Sequence, residues 1–89
     1  MTEREVAKAL AQLFRRKEAV LSGTFLLSSD GVQFIAAPGT RARWFDEWFS
    51  DLQPILKRAF LAGITEISVN YDGSYIFISI LTETFRYKF

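Results

Sequence analysis

Two Asp-Gly dipeptides, Asp30-Gly31 and Asp72-Gly73, each stand between two short apolar runs. Asp-Gly suits the sharp turn of a hairpin because its positions favour positive φ, so the pair commits the chain to two hairpins. The first joins a run beginning at Val20, with Leu21, Phe25 and Leu27 alternating, to residues 32–36. The second joins residues 64–71 to residues 75–81, and a further alternating run, 84–89, predicts a last strand.

The segments outside the hairpins read as helix. Thr2 and Glu5 form a T-x-x-E capping box, after which Val6, Leu10, Leu13, Phe14 and Lys17 share one side of a wheel. Thr40 can cap a second helix that runs to Gly63, a residue suited to a left-handed stop. Pro54 lies inside it on the polar side, where a proline bends a helix rather than ending it; the alternative is two helices broken between Asp51 and Gln53. The element order is therefore α-β-β-α-β-β-β, an α+β fold in a single domain covering residues 1–89.

Strand patterns predict positions in the sheet. In residues 64–71, Thr65, Ile67, Val69 and Tyr71 share one face, while Glu66, Ser68 and Asn70 share the other, which predicts an edge strand or one that pairs across a symmetry axis. Residues 75–81 are apolar on both faces, which predicts a central strand covered on both sides. In the last strand Phe85, Tyr87 and Phe89 point one way, and Thr84, Arg86 and Lys88 the other.

Order and text together resemble the roadblock/dynein light chain family. The segment from Gly23, Gly-Thr-Phe-Leu-Leu-Ser-Ser-Asp-Gly-Val, followed by Phe34-Ile35-Ala36, is similar to that family's first hairpin. The segment from Ile64, Ile-Thr-Glu-Ile-Ser-Val-Asn-Tyr-Asp-Gly-Ser-Tyr, is similar to its later one. The resemblance implies a five-stranded antiparallel sheet in the order 2-1-5-4-3 with a helix on each face. It also implies homodimers in which the edge strands, residues 64–71, pair into one continuous sheet with the second helices packed beside them, and partners such as a small GTPase or a larger assembly. Many members end in a third helix that this sequence does not continue into, which is the expectation behind a structural subunit completed only within a complex.

Composition narrows the function. The chain has no His and no Cys, which removes the commonest general base, the commonest zinc ligand and any thiolate chemistry. There is no Gly-rich phosphate loop and no serine at a nucleophile-elbow spacing. The expectation is a non-enzymatic protein-binding module with no cofactor or metal site. Asp46, Glu47 and Asp51 spread around the polar side of the second helix and do not form a metal cluster. The N-terminus is charged and no apolar run is long enough to span a membrane, so a cytoplasmic location is expected.

Partner surfaces follow from excess apolar bulk. With nine Phe, three Tyr and two Trp, the chain holds more aromatic surface than a small core needs. On the second helix, Trp44, Phe45, Trp48 and Phe49 belong to an apolar arc of roughly 160°, where about 100° suffices for packing on one sheet. Those four residues, with Ile67, Val69 and Tyr71, are the candidate homodimer or partner interface. Arg15, Arg16, Arg86 and Lys88 form a candidate basic surface. With 11 basic against 10 acidic residues the chain lacks the cationic excess of a nucleic-acid binder, and Phe85, Tyr87 and Phe89 face away from Arg86 and Lys88. A nucleic-acid accessory role is therefore the alternative reading, ranked below protein binding.

Overall fold

A computed structural model describes residues 2–38 and 45–89, with residues 45–48 described by their backbone only. The elements are α1 (Glu3–Arg16), β1 (Gly23–Ser28), β2 (Gly31–Ala36), α2 (Phe45–Leu61), β3 (Glu66–Tyr71), β4 (Tyr75–Ile80) and β5 (Glu83–Lys88). Thr2 caps α1 as the sequence predicts: its hydroxyl accepts from the Glu5 amide at 3.2 Å, and the Glu5 carboxylate accepts from the Thr2 amide at 3.1 Å. These bonds hold the Glu5 carboxyl below its ordinary range. α1 stops at Glu18, a non-glycine residue at φ 52°, with the Ala19 amide returning to the Phe14 carbonyl at 2.8 Å. α2 is one helix with Pro54 inside it and exposed, and it stops through Gly63 at φ 91° with the Ile64 amide bonded to the Ala59 carbonyl. Thr40, the residue expected to cap it, lies outside the described residues.

All five strands join one antiparallel sheet in the order β2-β1-β3-β4-β5. This corrects the order 2-1-5-4-3. β3 pairs directly with β1, Phe25 opposite Ile67, so β3 is internal and β5 is the outer strand. β2 and β3, both antiparallel to β1, run parallel to each other on its two sides, and α2 makes the crossover between them. The polar face of β3 did not mark an edge, because every strand of this sheet has one uncovered face.

That uncovered face is the second correction. Paired residues share a face, so the registers carry Phe25, Ile67 and Ile80 on one side, with Val69, Ile78 and Phe85 beside them. These are buried with Val6, Leu10, Leu13 and Phe14 of α1 and Leu52, Leu56 and Ala59 of α2 in one core that, among the described residues, contains no polar residue. α1 packs over β4 and β5, α2 over β1, and the two helices pack on each other. Lys17 at the end of α1 bridges Asp51 of α2 at 3.1 Å. The opposite face has no buried residue among those described. The fold is two layers, helices on one face only, and not a sheet with a helix on each.

Three close features set the turns. Between β3 and β4 the Asp72 carboxylate accepts from the amides of Ser74 at 2.9 Å and Tyr75 at 2.8 Å, and Gly73 takes φ 104°. Between β4 and β5 the exposed Leu81 takes φ 58°, a left-handed conformation that costs a side-chain-bearing residue about 1–2 kcal/mol. At the start of β1 a Cβ on Gly23 would stand 2.5 Å from the Ile35 carbonyl oxygen and 2.7 Å from the Phe34 ring, so only glycine fits beneath that ring. Among the described residues, no helix is long and apolar enough to cross a membrane.

Candidate binding surfaces

The uncovered sheet face has a definite order. Successive registers put Asn70, Phe77 and Arg86 in one row across β3, β4 and β5, with Tyr75 opposite Lys88 in the next row outward. Tyr75 and Phe77 are half-buried, while Arg86 and Lys88 are exposed. The Arg86 guanidinium carbon lies 4.8 Å from the centre of the Tyr75 ring, a cation–π contact that places the charge over that ring. From the end of α1 the Arg15 guanidinium reaches the β5 edge and donates to the Lys88 carbonyl. Arg16 is exposed. Of the expected basic surface, Arg86 and Lys88 thus lie together, with Arg15 at their margin.

A second row crosses the same face further along the strands: Ile35, Thr24, Ser68, Ser79 and Thr84. Its hydroxyls satisfy each other in pairs, Thr24 with Ser68 at 3.5 Å and Ser79 with Thr84 at 3.0 Å. Beyond it lies Glu66, exposed and opposite Leu26. The acidic group nearest the rings is Asp72. Its carboxyl is held below the ordinary aspartate range, first by the amide of Tyr75, then by that of Ser74, with the Arg86 charge adding a smaller effect.

On the other side of the molecule a groove of about 500 Å³ lies between the β1–β2 hairpin and the second half of α2. Leu27, Val32, Leu56, Phe60 and Leu61 form its apolar wall, and Asp30, Gln53 and Lys57 stand at its polar rim. Leu61 is 75% exposed. The adjoining outer strand β2 carries no charged residue and no proline, in contrast to β5, which carries Glu83, Arg86 and Lys88.

The residues expected at an interface are dispersed. Ile67 and Val69 are core residues on the covered face, 0% and 2% exposed, and β3 has a strand on each side, which leaves it no free edge for a second subunit. Tyr71, on the same strand, packs its ring at a tilt against Phe89, centroids 4.8 Å apart, and donates its hydroxyl to the Gly73 carbonyl. Phe49 is half-buried against the core. Trp44 and the side chains of Phe45 and Trp48 lie outside the described residues. Sequence reasoning missed Tyr75 and Phe77 as companions of Arg86 and Lys88. The signal was present in the alternation of residues 75–81, but it needed the β4–β5 register to be read.

No family model matches the chain, and neither a curated protein nor a solved structure does.

Proposed function

We propose that this chain is a non-enzymatic protein-binding module that works as a homodimeric scaffold. The observation that carries the reading is the apolar groove of Leu27, Val32, Leu56, Phe60 and Leu61 beside an outer strand without charge. Outer strands left without charge or proline are the ones that accept another chain's strand. A segment laid along β2 would bring alternate side chains over the groove, the strand-addition mode in which backbone bonds give affinity and pockets give selectivity. A second copy suits the site, because antiparallel pairing of β2 with itself brings no like charges together and closes on a two-fold axis. The absence of His, Cys and a phosphate loop from the sequence supports the non-enzymatic part. This reading stands on the groove and not on the roadblock resemblance, whose strand order differs from that of the sheet.

Sedimentation of the wild type and of Leu61→Glu at micromolar concentration tests it. Leu61 is exposed, so the variant should fold normally while its dimer dissociates at least tenfold more readily. A wild type that stays monomeric at the highest soluble concentration contradicts the homodimer.

A further inference from the structure

We propose that the end of the uncovered sheet face bearing Tyr75, Phe77, Arg86 and Lys88 binds single-stranded nucleic acid. The proposal is independent of the groove, which lies between the hairpin and α2. Its first support is spacing. Tyr75 and Phe77 are alternate residues of β4, so their rings sit about 7 Å apart along the strand on one face. That is wide enough for two unstacked bases, which single strands present and duplexes do not.

Its second support is the position of the charges. Arg86 and Lys88 stand directly opposite Phe77 and Tyr75 on β5, the outer strand. A nucleic-acid backbone can therefore follow the β5 edge with its phosphates on the two cations and its bases turned inward over β4. Asn70, in register on the far side of Phe77, has its Oδ1 accepting from the Ser22 hydroxyl at 3.4 Å and keeps its amide NH2 as a donor for a base edge. Glu66 is four residues further along β3, about 13 Å away, and Glu83 of β5 is in register with Ile80 on the covered side, so neither stands beside a phosphate at the rings. Asp72 is closer and stays ionised; its Oδ1 accepts from two turn amides, and its charge offsets part of that of Arg86.

The chemistry favours a nucleic acid over an acidic peptide. A polycarboxylate uses the two cations and leaves the Phe77 ring and the side of the Tyr75 ring away from Arg86 without a partner, whereas bases use rings and cations together. Duplex is disfavoured, because a flat sheet face enters neither groove and its rings meet no open base.

Fluorescence anisotropy with a labelled oligothymidylate and oligouridylate of about ten nucleotides tests this at low salt. The expected result is saturable binding that weakens with salt at a log–log slope of roughly −1.5 to −2, as for two or three phosphate contacts on a single strand. Phe77→Ala and Tyr75→Ala should each weaken it about tenfold with an unchanged circular dichroism spectrum. Should either variant fold poorly, Phe77→Leu and Tyr75→Leu keep the apolar bulk, remove the ring and should show the same loss. Three results would overturn the proposal: no binding at the lowest salt, equal binding by the ring variants, or displacement of the oligonucleotide by polyglutamate or duplex as readily as by single strands.

Discussion

β4 shows two surfaces to two different environments. On one side Ile76, Ile78 and Ile80 are almost wholly excluded from water beneath the helices. On the other, Tyr75, Phe77 and Ser79 are half-buried by their neighbours in the sheet alone. Both sets are large and mostly apolar, so hydrophobicity does not separate them. What separates them is the second layer: α1 and α2 lie together on one face, and the other face keeps its side chains available. The same strand therefore builds the core and displays a surface.

The comparison is broken most severely on the covered side. Ile78→Ala should destabilise the chain by about 2–5 kcal/mol, since it removes a fully buried side chain and leaves a cavity in a core without polar groups. Phe77→Ala, one residue away and larger in volume, should cost less than about 1 kcal/mol, within the range of surface substitutions. Chemical denaturation of the two variants measures the difference; equal losses would mean that a layer covers both faces.

How much of this was legible in the sequence depended on whether a signal was local. The Thr2–Glu5 capping box, the Asp30-Gly31 and Asp72-Gly73 turns and the Gly63 stop concern residues within a few positions of each other, and each fold element they predict is present. The α1 stop at Glu18 has no glycine to announce it. Strand order is not local. Alternation in β3 tells which side chains are dry, and when both helices share a face it is the same for edge and centre. Residues 75–81 were apolar on both sides for two reasons, three isoleucines for the core and two rings for an uncovered face. Hence Arg86 and Lys88 were legible as a basic pair, but their place beside Tyr75 and Phe77 required the register.

Smaller effects sharpen the contrast at the sheet's ends. Gly23→Ala places a methyl against the Ile35 carbonyl and the Phe34 ring, and should cost about 1–3 kcal/mol by thermal or urea denaturation. Leu81→Gly should instead stabilise the β4–β5 turn, by about 0.5–1 kcal/mol, because the left-handed strain relieved exceeds the added flexibility of the unfolded chain.

The smallest effect concerns Asp72. A carboxyl held below its ordinary range stabilises the folded chain at pH values above the unfolded aspartate pKa, and that contribution is lost as pH falls through the depressed folded value. Asp72→Asn keeps an acceptor oxygen but not the charge. Its melting temperature should trail the wild type slightly at neutral pH, with the gap closing in acid.

The division of the sheet into a covered and an uncovered face is tested most directly by nuclear Overhauser contacts from the Phe77 ring. The account predicts contacts to Asn70 and Arg86 and none to α1 or α2, while the Ile78 methyls one residue away contact the core. Contacts from the Phe77 ring to Leu10, Leu13, Leu52 or Leu56 would contradict it.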